Sequence, residues 1–169
     1  MIERRHEQNG VRSRALYSAC GAYRYGLERA WGGAGGQMVL WIMLNPASAD
    51  ERCNDATLER CERRARAMGF GGMRVANLFA FRAGTPAKLR CAAAPVGPEN
   101  DALLLRWHAQ ARMTLAGWGM HGAYLGRGAE IAARLEGEVH VLGLTRDGHP
   151  RHPLYLPYAA QPRPWLRGP

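Results

Sequence analysis

Lysine is nearly missing from this chain. Lys88 is the sole lysine among 23 basic residues, so arginine carries almost all of the positive charge. Acidic residues number only 14, which leaves a formal net charge of +9. Arginine grips phosphate through a planar fork of donors, where lysine offers a point charge. The balance predicts an anionic partner, nucleic acid first. A codon bias toward arginine accounts for the missing lysines but less well for the net charge. Long apolar runs are also lacking. No stretch reaches the roughly 20 residues that cross a bilayer, and the opening Met-Ile-Glu-Arg-Arg-His-Glu holds no apolar signal core. No membrane partner is expected, and the cytoplasm is the expected location.

Cysteine is sparse and badly spaced for metal. Cys20, Cys53, Cys61 and Cys91 form no C-x-x-C pair, which argues against a zinc ribbon. Scattered cysteines can hold an iron–sulfur cluster, but reduced, mostly buried thiols are the better expectation. Cys53 has no visibly paired histidine and so reads poorly as a nucleophile. No metal and no cofactor are expected. Internal repeats and long linkers are absent, and 169 residues fit one domain with one core. Within it, residues 1–36 read as an N-terminal extension with a hairpin, and 143–169 as an irregular, proline-rich end.

What is present alternates. The run Met38–Leu44 is apolar on both alternating faces, as a central strand covered on both sides should be. Gly32-Gly33-Ala34-Gly35-Gly36 before it reads as a hairpin turn, which would make Tyr25–Trp31 its antiparallel neighbour. Asn45-Pro46 ends the strand. A polar loop leads to a helix capped by Asn54 or Asp55, with Leu58, Cys61, Ala65 and Met68 on one face and Arg60, Arg63, Arg64 and Arg66 mostly on solvated ones. Met73–Leu78 reads as a second strand. After a long loop, Pro98-Glu99-Asn100-Asp101 opens a second helix bearing Leu103, Leu104, Trp107 and Ala111. Met113–Trp118, a helix over 121–135 and a strand over 139–142 complete the pattern, with Trp41 and Trp118 as core residues. This order predicts a three-layer α/β/α sandwich: a mostly parallel four-stranded sheet plus an N-terminal antiparallel hairpin.

In such sheets ligands sit beyond the carboxyl ends of the strands. The polar residues at those ends are Asn45, Asn77 with Arg82, Trp118-Gly119, and the segment His149–Tyr155. Each also has a plain structural reading: Asn45 as a turn residue, Asn77 as a cap on a neighbouring loop, the histidines as surface residues, and Asp50 as a helix-start residue. Four segments converging on one edge favour a site.

These same residues carry two resemblances. The strings Met43-Leu44-Asn45-Pro46-Ala47-Ser48-Ala49-Asp50, Asn77-Leu78-Phe79-Ala80-Phe81-Arg82, Gly97-Pro98-Glu99-Asn100-Asp101 and His149-Pro150-Arg151-His152-Pro153-Leu154-Tyr155 look like an uncharacterised family of bacterial and phage proteins. More distantly, Leu44-Asn45-Pro46, Asn77 and His152-Pro153-Leu154-Tyr155 resemble, in order and spacing, three motifs of the uracil-DNA glycosylase superfamily. That resemblance implies its fold, DNA as partner, and hydrolysis of the N-glycosidic bond of a damaged or modified base extruded from the stack. Asn45 or Asp50 would orient water. His152 or His149 would donate to the departing anionic base. Asn77 would read the base edge, with Phe79 or Phe81 (Phe70 is a further choice) stacking on it. Leu154 or Tyr155 would fill the gap in the duplex, and Arg82, Arg127, Arg146 and Arg151 would hold phosphates. Two rival readings keep the same site: a hydrolase or transferase of free nucleosides or nucleotides, and a nucleic-acid-binding module without catalysis.

Overall fold

The computed structural model describes residues 1–32 and 36–166. The chain is mixed α/β, built on one eight-stranded sheet in the order β1-β2-β3-β5-β4-β6-β7-β8. β1 (Ile2–Gln8) and β2 (Val11–Tyr17) form a hairpin at one edge. Its two-residue turn, Asn9-Gly10, has both residues at positive φ (51° and 74°), the twist that a tight hairpin needs. β3 (Arg24–Ala30) pairs antiparallel with β2 and with β5 (Gly72–Asn77). β5, β4 (Met38–Met43), β6 (Met113–Ala116) and β7 (His140–Val141), adjacent in that order, are parallel to one another, and β8 (Arg163–Pro164) closes the other edge antiparallel to β7.

This corrects the expected sheet. A four-stranded parallel sheet with an appended hairpin was predicted, whereas antiparallel pairings outnumber parallel ones in a continuous eight-stranded sheet. The strand over 24–30 pairs with β5 and not with the run beginning at Met38. Of the turn expected over Gly32–Gly36, residues 33–35 lie outside the described residues.

Apolar side chains fill both faces of the sheet. Helix α1 (Ala56–Ala67) covers one through Leu58, Cys61 and Ala65, which pack on Val39, Trp41 and Val75. Helices α3 (Asn100–Gln110) and α4 (Arg127–Arg134) cover the other through Leu103, Leu104 and Ile131, which pack on Leu40 and Ile42. The long loop after β5 contains a short helix, α2 (Pro86–Arg90), capped by Thr85. The helix expected over 121–135 is broken: a 3₁₀ segment, Met120–Gly126, departs from helical geometry at Tyr124 and Leu125 before α4 begins. Gly126 at φ 65° makes that corner possible. Arg64, expected in solvent, is buried. Of the cysteines only Cys61 is buried and the other three are exposed, contrary to expectation; all four are free thiols. Burial pushes the Cys61 thiol up. No described helix is long and apolar enough to cross a membrane.

The topology locates the candidate site. From β4 the chain crosses to β5 on one side, and from β6 it crosses to β7 on the other. The carboxyl ends of β4 and β6 therefore flank the point where the winding direction reverses, the usual crevice for a ligand.

Candidate functional site

A cleft of about 560 Å³ opens at this point, within the range of small-molecule sites. Asn45, Asn77, Arg151, His152, Leu154 and Tyr155, all singled out from sequence, line it. A larger, more open groove of about 990 Å³ lies at the amino ends of the strands, beside Gln37, Met113 and His140, and holds none of them.

Asn45 follows β4. Its Nδ2 donates to the carbonyls of Pro46 (3.0 Å) and Ala83 (2.7 Å). Both amide hydrogens are thus engaged and Oδ1 is left to accept. Asn77 ends β5 almost fully buried, and its Oδ1 has no partner. Buried acceptors are nearly always satisfied, so an orphan on a residue that lines the cleft marks a place for a ligand or water. The turn behind Asn77 is pinned: Nδ2 of Asn100 donates to the carbonyls of Asn77 (2.9 Å) and Leu78 (3.1 Å), and Nε of Arg127 donates to Leu78 (3.1 Å).

His152 is brought in by the last loop. The N–H of Gly119 donates to the Pro150 carbonyl (2.8 Å) and that of Arg151 to Gly143 (2.9 Å), tying the loop to the ends of β6 and β7. A Cβ at Gly117 would come within 3.0 Å of Pro153 and 3.2 Å of Met43, so the loop seats closely over a residue without a side chain. His152 Nδ1 faces the Leu154 N–H at 3.3 Å and accepts from it. The neutral ring then carries its proton on Nε2. Burial lowers the His152 pKa below its ordinary value, with Asp55 opposing that shift.

Several expected residues sit elsewhere. Asp50 does not line the cleft; its Oδ1 accepts from the N–H groups of Arg52 (2.7 Å) and Cys53 (2.8 Å) and closes its own loop. Burial would raise its pKa, but these N–H bonds and nearby arginines hold the carboxyl low. His149 caps the turn over 145–149, its N–H donating to Thr145 Oγ1 at 3.0 Å. Phe79 is core, 5.6 Å from the Tyr124 ring, Phe81 meets Tyr23 edge-on, and Phe70 lies at the opposite end of the strands. Trp118 and Tyr155 are the aromatic rings that line the cleft. Trp118 is buried as expected, and so is Trp41. Tyr155 is 73% exposed with its ring 5.6 Å from that of His152. Arg127 is buried and paired with Asp101 and Glu130, so it holds the fold rather than facing solvent. Arg82 is exposed beside the Tyr17 ring, and Arg146 is exposed on the turn after β7.

Two cleft residues escape sequence reasoning. Asp55 reads only as a helix cap, and does cap α1, its Oδ1 accepting from the Leu58 N–H at 2.9 Å; yet its carboxylate also lines the cleft. Arg24 begins β3 and passes unnoticed as a strand arginine, but it is buried at the cleft. Among the described residues, no three His, Cys, Asp or Glu side chains gather as a metal site would require.

A mixed α/β fold with a cleft at its topological switch point, lined by apolar surface with a few polar side chains, is thus defined. The chain belongs to the family of proteins of unknown function DUF1643, whose model matches residues 24–154. The matched span begins at Arg24 and ends at Leu154; it takes in every cleft residue named above except Tyr155 and leaves out the β1–β2 hairpin. No curated protein and no solved structure matches the chain.

Proposed function

We propose that the cleft accepts a base extruded from DNA and hydrolyses its N-glycosidic bond, on an α/β/α architecture like that of the uracil-DNA glycosylases. The observation that carries this reading is the meeting of Asn45, Asn77 and His152, from three distant segments, in one cleft. Each has the atom the reaction needs. Asn45 Oδ1 accepts from a water and directs it at the sugar, whose cationic character in the transition state asks little of a base. Asn77 reads the base edge through its orphan Oδ1. His152 offers Nε2–H to the base as it departs with the bonding electrons; one such preorganised donor is worth roughly 100- to 1,000-fold in rate. Tyr155 and Leu154 at the rim are suited to filling the gap in the stack.

The test is a panel of duplex and single-stranded oligonucleotides, each with one altered base, incubated with the protein and then treated with hot alkali to break abasic sites. A cut at one altered base supports the reading; uniform absence of cuts counts against it. A hydrolase of free nucleosides or nucleotides is the second reading, favoured by a cleft volume that takes in a whole nucleoside. Turnover of a free nucleoside without any polymer would select it.

A further inference from the structure

We propose that Arg24 selects the ligand of this cleft: its buried guanidinium receives the carbonyl oxygen of a base with a lactam edge, a ring N–H beside a C=O. The word "base" rests on the glycosylase reading above; the demand for an acceptor opposite Arg24 does not.

Arg24 differs from the other buried arginines. Arg127 pairs with two carboxylates, Arg64 donates to four carbonyls, and Arg29 donates to Asp50, Cys53 and Asn54. Arg24 is 1% exposed and donates to a single acceptor, the Ala49 carbonyl, through Nη1; its Nε has no partner, as is also true of Arg64, but Arg64 has four carbonyls to answer its charge. No carboxylate lies within salt-bridge distance of it among the described residues. Its charge persists at neutral pH, since burial pulls its pKa down only to about 10. A buried cation with so few partners is costly, and this one lies against the cleft.

The other polar groups of the cleft decide what answers that charge. Asn77 Oδ1 is a buried acceptor without a donor, and Asp55 adds a carboxylate to the lining. Both oxygens repel a phosphate. They fit a ligand edge that offers an N–H next to its oxygen. A lactam meets the whole set: its carbonyl faces Arg24 and its N–H faces an oxygen. An amino-substituted base presents a donor to the guanidinium and is rejected, because a site built around buried polar groups discriminates sharply against an edge that leaves them unpaired. In the reaction proposed above, the C1′–N bond breaks with both electrons on the base, and water supplies hydroxyl to C1′ and its remaining proton to the base or solvent. The charge on a lactam base spreads onto the oxygen that Arg24 faces.

Calorimetric titration of the intact protein with two pairs of bases methylated at the glycosidic nitrogen tests this: 9-methylhypoxanthine against 9-methyladenine, and 1-methyluracil against 1-methylcytosine. Within each pair the lactam edge is exchanged for an amino-substituted one. The lactam member of at least one pair is expected to bind about tenfold tighter or more. Arg24→Gln, checked for folding by circular dichroism, should erase that ratio, and Arg24→Lys should keep part of it. Equal binding within both pairs, no binding of any base, or an unchanged ratio in folded Arg24→Gln would overturn the proposal. The wild-type comparison stands even if the variants do not fold. Lactam selectivity without cleavage of any oligonucleotide keeps this inference and removes the glycosylase reading. Cleavage at an amino-substituted base, with no lactam preference, does the reverse.

Discussion

The backbone N–H of Leu154 donates to Nδ1 of His152 at 3.3 Å, so a main-chain group fixes which ring nitrogen of the cleft histidine carries the proton. Pro153 between them locks the turn that makes this contact. The histidine is thereby prepared as a neutral donor through Nε2, and burial, which lowers its pKa, keeps it neutral.

This gives a stability prediction with a definite sign. The folded-state pKa of His152 lies below its ordinary 6.5, so the unfolded chain takes up the proton first. Stability is then lost as pH falls below that ordinary value toward the folded-state one. Thermal unfolding at about pH 7.5 and about pH 5.5 should show a smaller acid loss in His152→Gln than in the wild type. An equal loss in both would remove His152 as the source.

Asp55 opposes the shift of His152 through its charge and also caps α1. Asp55→Asn keeps a good cap and removes the charge, so the His152 pKa should drop further. Proton NMR titration of the His152 ring should show its midpoint moving to lower pH with little change in melting temperature. Asp55→Ala should in addition cost about 1 kcal/mol of stability through the lost cap.

Arg151 and Arg127 should behave oppositely toward nucleic acid. Arg151 is exposed at the cleft, whereas Arg127 is buried on Asp101, Glu130 and the Leu78 carbonyl. Arg151→Ala should weaken DNA binding and reduce its logarithmic salt slope by about one. Arg127→Met should lower the melting temperature and leave the slope of the folded fraction unchanged. Fluorescence anisotropy between about 50 and 200 mM salt reads both.

Arg64 clasps the end of the chain. It donates to the carbonyls of Leu156, Pro157, Tyr158 and Ala160. Arg64→Met would leave those carbonyls unpaired, at about 1–3 kcal/mol. Hydrogen exchange should quicken over residues 152–160, and if it stays as slow as in the wild type, Arg64 does not hold that segment.

The sequence makes the parallel part of the sheet legible because its signals are local. Met38–Met43 is apolar on both faces, Asp55 caps α1 and Pro98 precedes α3. The β1–β2 hairpin was equally open to reading, since Asn9-Gly10 is a tight-turn signal, but its strands carry Arg4, Arg5, Arg12 and Arg14 and show no clean apolar alternation. The pairing of β3 with β5 had no local signal, because register between distant strands is settled by packing. In the cleft, Asn45, Asn77 and His152 stand beside Pro46, the end of β5 and Pro153, where breaks in pattern draw the eye. Arg24 and Arg29 were invisible because strand arginines read as solvated. They are buried here because they satisfy main-chain oxygens of the loop after β4: Ala49 for Arg24, and Asp50 and Cys53 for Arg29. Asp55 was hidden by its other role as a cap.

The most direct measurement of the central claim is release of free base from duplex DNA carrying a single altered base, followed by chromatography for wild type, Asn45→Ala and His152→Ala. The predicted result is one base released with an equal amount of abasic site, slowed roughly 100-fold or more in His152→Ala and also lost in Asn45→Ala. Release of no base by a wild-type protein that still binds the same duplexes in a salt-sensitive way would contradict a hydrolytic role for the cleft and leave it a binding site.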